Sequence, residues 1–406
     1  MRTLLLLAAS LMFLLSITGC TRTQDKQQRE PTSETVDLPT YLQSVKLPTN
    51  LTTAFDPSAV KSIDSANIYI TRHLELDPES VTKHLLRGEI VEHIPQAVGP
   101  GFKAKKEGMI EYLYVYDGGK SFGTKSDVNG GLSYGVVQEG LHDLSSSSVI
   151  GISAGSPDMN EQLNENLTRS NYQSYTDLSF ETYADALAVV KDKLDKIGLP
   201  RLDVVEAYSI DLETVERHYA LYRENLKNRN MENEEREIHW SKDDERYLIH
   251  YRQLVDEIPV TNVKWESATG ARTDHLGNYM PTTVIQVEYA KDGIVRIGAG
   301  NLYDIDPAKS GKKQSLIHAA EALRVLLDEY DELILNEGTR ITTLELNYVS
   351  IPEGDAGSYK LIPAWVMDIA KPDTYKDPQS GASINYDLYG RYVVNAITGE
   401  KLSGMR

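Results

Sequence analysis

Apolar and polar residues alternate with two different periods along the chain, and these periods predict where helices and strands lie. The first apolar run, from Leu4 to Leu15, is interrupted only by Ser10 and is too short to span the hydrocarbon core of a bilayer. Residues Thr21 to about Pro39 are polar and have no hydrophobic period, which predicts a flexible tether. We therefore expect the folded part of the chain to begin near residue 41.

Residues 41–160 are predicted to form an N-terminal α+β domain. Asp77 has the side chain of a helix N-cap and Pro78 suits the first helical position, so a short helix is expected to begin there. Met109–Tyr116 has strong strand character. Residues 117–160 are rich in glycine and serine and predict loops or short irregular strands.

A first module of helices and strands is predicted at residues 176–306. Apolar residues spaced by three and four indicate one helix from Ser179 to Ile197 and another from Leu212 to about Lys227. Two strands are expected to form a hairpin through Lys291-Asp292-Gly293. The predicted strands are Val204–Ile210, Tyr247–Val255, Thr283–Ala290 and Ile294–Tyr303.

The pattern restarts after a polar break, and a second module is predicted at residues 312–406. Ser315 is expected to cap a helix that reaches Tyr330. The strands expected to follow are Thr342–Ser350, Tyr359–Ile369 and Arg391–Ile397. The sequence thus predicts an α+β fold of repeated modules, each a helix plus an antiparallel β-meander, behind an N-terminal signal peptide and flexible tether.

The first apolar run ends in Leu15-Ser16-Ile17-Thr18-Gly19-Cys20, which contains the chain's one cysteine. This segment resembles the lipobox of bacterial lipoproteins. The resemblance implies that residues 1–19 are a signal peptide, that cleavage follows Gly19, and that Cys20 carries diacylglycerol at the start of a tether over residues 20–40. Two acyl chains hold a protein stably at a bilayer. We therefore expect a protein lipid-anchored to the extracytoplasmic face of the cell membrane.

Composition narrows the choice of partners. The 406 residues carry a formal net charge of −18, which repels nucleic acid, so no nucleic-acid partner is expected. With 40% hydrophobic residues, a chain of this length can build its core without disulfides. Tyrosine is frequent, at 24 residues against 5 phenylalanines, and it favours strands with one wet face.

The C-terminal sequences Tyr359-Lys-Leu-Ile-Pro-Ala-Trp365-Val-Met-Asp and Tyr392-Val-Val-Asn-Ala-Ile-Thr-Gly-Glu400 resemble the last strands of PepSY-like modules. They are also similar to the extracytoplasmic YycH and YycI proteins of Gram-positive bacteria. Val255-Asp-Glu-Ile-Pro-Val260 is a fainter version of the same pattern. The resemblance covers Ser179 to Leu402 and implies a binding or regulatory role, with no catalytic residues and no cofactor. YycH and YycI use an N-terminal membrane helix where this chain has a lipobox.

One pentapeptide supports an alternative function. Gly151-Ile152-Ser153-Ala154-Gly155 matches the G-x-S-x-G nucleophile elbow, which would make the chain a cell-envelope serine hydrolase with Ser153 as nucleophile. The chain lacks the alternating strands and helices of a hydrolase sheet, and serines 145–148 indicate a loop before this motif. A fluorophosphonate probe would label Ser153 only if it were an activated nucleophile.

Other motifs match known sites less completely. Ser80-Val81-Thr82-Lys83 fits S-x-x-K, and Lys309-Ser310-Gly311 resembles a K-T-G element, but the latter falls in a polar loop and not on a strand. The nine histidines are scattered, and no metal site is predicted. Asp304 and Asp306 could offer oxygen ligands to Ca²⁺, although a D-x-D in an acidic chain is more often a solvated strand end.

Trp365 has two interpretations, a core side chain between sheet and helix or an aromatic contact for a partner. Together these observations predict a lipid-anchored extracytoplasmic binding or regulatory protein without catalytic activity. Its expected partner is a membrane or cell-envelope protein.

Overall fold

The computed structural model describes residues 37–86, 90–96, 111–116, 120–125, 131–135, 172–228, 239–261, 284–306, 311–353, 358–376, 381 and 383–402. These ranges contain five α-helices: α1 Leu38–Ser44, α2 Pro78–Leu85, α3 Tyr183–Lys196, α4 Leu212–Asn228 and α5 Ala319–Tyr330. Two short 3-10 helices lie at Pro57–Ala59 and Lys242–Asp244. None of the helices described combines the length and apolar character needed to cross a bilayer.

The same ranges contain eighteen strands. In the N-terminal half they are β1 Leu51–Thr53, β2 Ser65–Ala66, β3 Tyr69–His73, β4 Ile90–Gln96, β5 Glu111–Tyr116, β6 Lys120–Lys125, β7 Gly131–Gly135 and β8 Gln173–Ser174. They continue as β9 Leu202–Ile210, β10 Arg246–Val255, β11 Ile258–Pro259, β12 Val284–Ala290, β13 Gly293–Gly300 and β14 Tyr303–Asp304. The last are β15 Gln314–Ser315, β16 Thr339–Pro352, β17 Ser358–Lys376 and β18 Ser383–Asn395. The predicted α+β class is confirmed.

The first sheet is antiparallel throughout. Its strands follow the order β4-β5-β6-β7-β13-β12-β10-β9-β8, and β11 folds back on β10. The hairpin predicted through Lys291-Asp292-Gly293 is present between β12 and β13. Gly293 has φ of 102°, a conformation that a glycine adopts without a steric penalty.

The second sheet has the order β1-β16-β17-β3-β14, and β18 pairs with β17. All its pairs are antiparallel except that of β1 with β16. Strands from the predicted N-terminal domain enter both sheets, because β1 and β3 join the second and β4–β7 join the first. The two-stranded pair of β2 and β15 stands apart from both.

Each sheet buries a face against a helix, and α4 packs on the opposite face of the first sheet. Ala186, Val190 and Leu194 of α3 pack with Tyr247 and Ile249 of the first sheet. On the second sheet, the apolar residues of α5 pack against the strands; this group includes Ala322, Leu323, Leu326, Leu327, Leu344, Leu346, Tyr348, Trp365 and Met367. The apolar spacings seen in the sequence therefore mark the core faces of both helices.

Two predicted helix starts are wrong, for the same physical reason. Ser315 lies in β15, and α5 begins at Ala319, because Leu316 and Ile317 donate backbone hydrogen bonds to Asp64 and Ala396 at 2.9 and 2.7 Å. Likewise Ser179 does not begin α3, because its N–H donates to Glu245 at 3.0 Å. Thr182 caps that helix instead, accepting from the N–H of Asp185 at 3.2 Å. In both places a tertiary contact keeps the first predicted turn out of the helix.

At the other predicted boundaries the differences are small. Asp77 caps α2 as expected, with its carboxylate oxygens 3.2 Å from the N–H groups of Glu79 and Ser80. Helix α1 begins at Leu38, inside the stretch predicted as tether, with Asp37 as its N-cap. The last two strands are longer than predicted, since β17 and β18 continue as a two-stranded ribbon to Lys376.

Candidate functional site

An open sheet edge lies where the two sheets meet. Strand β16 pairs along one edge with β17. Along its other edge it pairs with β1 only up to Ile341, and with the segment after β11 only at Tyr348. Within the described ranges, no strand pairs with this edge between those two residues. Among the residues that the structure describes, this leaves a gap in the second sheet, facing the end of β10.

A pocket of about 470 Å³ occupies this gap, within the size range of natural ligand pockets. Residues 342–346 of β16 form one wall, and the ends of β9 and β10 form the opposite wall. Half-buried apolar side chains of the segment after β1 line it as well; these are Phe55, Val60 and Ile63. A smaller pocket of about 190 Å³ continues along the sheet face and shares Arg252, Thr343 and Glu345 with the first. We refer to the two together as the junction groove.

Arg252 is the central charged residue of the junction groove. Its Nη1 donates to both carboxylate oxygens of Glu345 at 2.9 Å. Its Nε and Nη2 donate to Oδ2 of Asp203, the residue opposite it on β9, at 3.3 and 3.2 Å. Planar guanidinium groups suit such shared carboxylate contacts. One side chain therefore joins the two sheets.

Further ion pairs lie at both ends of the groove. Arg201 pairs with Glu257 at one end, with Nη2 3.0 Å from Oε2, and this hydrogen bond lowers the pKa of Glu257. At the other end Arg391 Nε donates to Asp368 at 2.8 Å. The charged side chains that line the groove are the basic Lys61, Arg201, Arg252 and Arg391, and the acidic Asp56, Asp203, Glu257, Glu345 and Asp368. The described walls therefore have a small acidic excess.

The turn between β10 and β11 carries unusual backbone angles. Asp256 and Glu257 have φ of 50° and 65°, a left-handed conformation that costs energy in residues other than glycine. Tyr69 donates its hydroxyl hydrogen to the Asp256 carboxylate, and Asn67 donates to it at 3.3 Å. Burial, followed by this carboxylate, raises the pKa of Tyr69. Side-chain contacts thus hold a strained turn whose Glu257 lines the groove.

Trp365 belongs to the core and not to the groove. Its side chain is 1% exposed, and its indole Nε1 donates to the carbonyl oxygen of Ile317 at 2.9 Å. The core interpretation of this residue is therefore confirmed.

The described residues of the other sequence motifs, S-x-x-K and D-x-D, do not form a common site. Ser80 donates its hydroxyl hydrogen to the carbonyl oxygen of Lys196 at 2.9 Å, which joins α2 to the end of α3. Asp304 and Asp306 are exposed. Across the described ranges, no three His, Cys, Asp or Glu side chains are grouped as metal ligands. Gly19, Cys20, Ser153, Lys309 and Ser310 lie outside the described residues.

A second group of polar side chains is buried between α4 and the first sheet. Arg246 and Glu288 are each 3% exposed, and Arg246 Nε lies 3.7 Å from Glu288 Oε2. Arg296 Nη1 lies 3.4 Å from Oε1 of the same glutamate. His218 of α4 is 1% exposed and packs edge-on against Tyr172. Burial, followed by the positive charges of Arg217 and Arg246, lowers the pKa of His218 to about 4. This histidine is thus neutral in the folded protein near neutral pH.

Neither group of polar residues was predicted from the sequence. Arg252 and Glu345 are 93 positions apart, and nothing in their local sequence marks them as a pair. The available signal was the alternation in β10 and β16, which places Arg252 on the face of β10 away from α3 and Glu345 on the face of β16 away from α5.

The fold has a counterpart among solved structures. No family model matches the chain, and no curated protein matches it. Among solved structures, the chain is similar to an uncharacterized protein from Eubacterium rectale ATCC 33656, with a TM-score of 0.54 and 13% sequence identity. The match covers 84% of this chain and 86% of that chain. At this identity the likeness establishes a shared fold and nothing about activity.

Proposed function

We propose that the chain is a lipid-anchored binding or regulatory protein on the extracytoplasmic face of the cell membrane, and that it recognises a membrane or envelope protein through the junction groove. In this proposal residues 1–19 are removed as a signal peptide and Cys20 carries the lipid. The lipobox motif supports the anchor.

The observation that carries the binding role is the combination of an open sheet edge with a lined pocket. Apolar side chains from the segment after β1 and charged side chains from both sheets line the same space. Arg252 is bound by two carboxylates, and Arg201 and Arg391 each have an acidic partner. Fixed charges around an apolar surface are what a site for recognition requires, because they set orientation while the apolar surface supplies binding energy.

We also propose that the chain contains two repeated modules, at 176–306 and 312–406, of PepSY-like or YycH/YycI-like type. Two sequences of elements support the repeat. Helix α3 is followed by β9, β10 and β12, which are adjacent in that order, and α5 is followed by β16, β17 and β18 in the same arrangement. Helix α4 is an insertion in the first of them. The groove then lies at the contact between the two modules.

The anchor and the partner can be tested together in living cells. An alkyne-tagged fatty acid should label the wild-type protein and not Cys20→Ala, which should leave the membrane fraction. Crosslinking followed by detergent solubilisation and mass spectrometry should then recover one dominant membrane or envelope protein with the wild type. It should recover much less with Cys20→Ala. A protein that takes up no lipid, or that captures no partner in either form, would rule out this function.

A further inference from the structure

The edge of β16 that no described strand pairs with presents backbone groups as well as side chains. The carbonyl oxygen of Tyr348 accepts from Thr261 N–H at 2.9 Å, so its backbone faces away from β17. Its partner on β17 is Pro363, and a proline has no backbone N–H that could donate to Tyr348. Because backbone direction alternates along a strand, Leu346 and Leu344 also direct their N–H and C=O groups toward the open edge. Their side chains are buried under α5, so only their backbone is offered to a ligand.

The ends of the open edge are defined by hydrogen bonds. The carbonyl oxygen of Ile341 accepts from Ala54 N–H at 2.8 Å, and that of Tyr348 accepts from Thr261. The register of β16 shifts between Ile341 and Thr343, so both carbonyls face this edge although they are seven residues apart. At the usual rise of a strand, the seven steps span at most about 24 Å. The 470 Å³ pocket lies against residues 342–346 of this same stretch. There is therefore room beside β16 for a short extended segment, flanked by β1 and the Val260 bridge.

The side chains beside this edge favour a positively charged occupant. Glu345 and Asp203 share the one guanidinium of Arg252, which leaves one negative charge in excess at the centre of the groove. Across the described walls, acidic residues exceed basic ones, and the whole chain has a net charge of −18. A strand added beside β16 would place alternate side chains on the Glu345 face, where opposite charges stabilise neighbouring strands.

We infer that the junction groove binds an extended peptide segment of the partner as an added strand on β16, with a Lys or Arg side chain directed to Glu345 and Asp203. This inference rests on the proposed function and specifies how the same site recognises its partner. Backbone hydrogen bonds to Leu344 and Leu346 supply the binding, and the basic side chain supplies the selectivity.

Peptides provide a test that leaves the protein fold unaltered. Octapeptides selected from a random library against the full chain should alternate β-branched or aromatic residues with Lys or Arg. The strongest binder should slow amide hydrogen exchange at Leu344 and Leu346. Methylating its backbone nitrogens at the residues facing β16 should reduce affinity at least tenfold, while methylating the intervening nitrogens should change it little.

Protein variants test the charge requirement. Glu345→Gln should weaken binding of the basic peptide about fivefold, as expected for a partly exposed ion pair. Glu332→Gln, which alters an exposed carboxylate outside the groove, should leave it unchanged.

The outcomes separate this inference from the proposed function. A peptide that competes with the cellular partner, yet neither protects these amides nor responds to methylation, would overturn strand addition while leaving a binding protein. Selection of acidic peptides, or of none, would overturn the inference as well. Failure of the proposed function would be seen independently, as the absence of any crosslinked partner in cells.

Discussion

Arg252 of the first sheet and Glu345 of the second are joined by hydrogen bonds of 2.9 Å from one guanidinium nitrogen to both carboxylate oxygens. Because Arg252 also binds Asp203 on its own sheet, a single side chain connects three strands, β9, β10 and β16. This relationship connects the two walls of the junction groove and leaves its centre slightly acidic.

Replacing Arg252 should destabilise the protein moderately. Arg252→Ala leaves Asp203 and Glu345 as two neighbouring carboxylates without their shared cation. Since both are about half exposed, solvent screens them, and we expect a loss of about 1 kcal/mol in the free energy of unfolding. Urea unfolding at low and high salt measures this, and the loss should shrink in high salt. Lys191→Ala, which breaks an exposed pair on α3, should change little. Equal effects of the two substitutions would contradict a joining role for Arg252.

Replacing Glu257 by glycine should stabilise the fold while altering the groove. The backbone of Glu257 is left-handed, and glycine adopts that conformation without the Cβ penalty. We expect Glu257→Gly to raise Tm by about 1–2 °C for a chain of this size, and to weaken partner binding. Glu257→Gln keeps the Cβ and should leave Tm unchanged. The account of the turn would be wrong if the glycine variant melted lower than the glutamine variant.

Replacing Trp365 by phenylalanine should cost stability and not binding. The change leaves a cavity beside α5 and an unpaired carbonyl at Ile317, for a combined loss of about 2 kcal/mol in the free energy of unfolding. Chemical denaturation measures the loss. Ile334→Ala, at a fully exposed apolar residue, is the matched control and should be neutral. A stable Trp365→Phe protein that no longer binds its partner would favour a contact role for the tryptophan after all.

His218 should make stability depend on pH. Its folded pKa of about 4 lies below the value near 6.5 expected in the unfolded chain, so the unfolded state binds more protons between those values. The contribution of neutral His218 is therefore complete above pH 6.5 and is lost as pH falls toward 4. We expect a loss of about 2 kcal/mol between pH 7.5 and pH 5 from this residue.

The control for His218 is a second histidine. His218→Gln should remove that part of the pH dependence measured by urea unfolding at the two pH values. His84→Gln, on the half-buried end of α2, should retain it. If the His218 variant kept the full pH dependence, other groups would have to account for it.

Features of the fold that depend on neighbouring residues could be predicted from the sequence, whereas features that depend on distant contacts could not. Asp77 as the cap of α2 and the Lys291-Asp292-Gly293 hairpin depend on neighbouring residues, and both were predicted correctly. The start of α5 was not, because Leu316 and Ile317 are held by Asp64 and Ala396, residues distant in sequence. The helix propensity of neighbouring residues cannot predict such long-range contacts.

The candidate site shows the same limit more strongly. The pairing of β3 with β17 joins residues nearly 290 positions apart, and the gap in β16 exists only because β1 and the Val260 segment stop short of each other. No periodicity in the sequence marks an edge that is left unpaired. The alternation of apolar and polar residues correctly indicated the strands. Which strand edge stays unpaired among the described residues depends on the tertiary pairing.

The most direct test of the central claim places a photo-crosslinking amino acid at Thr343, on the face of the open edge, in the membrane-anchored protein in living cells. The matched position is Leu333, which is exposed and lies outside the groove. We predict that Thr343 captures a single polypeptide, that Leu333 does not, and that the capture is lost in Cys20→Ala. Capture of the same polypeptides from both positions, or from neither, would contradict a binding role for the junction groove.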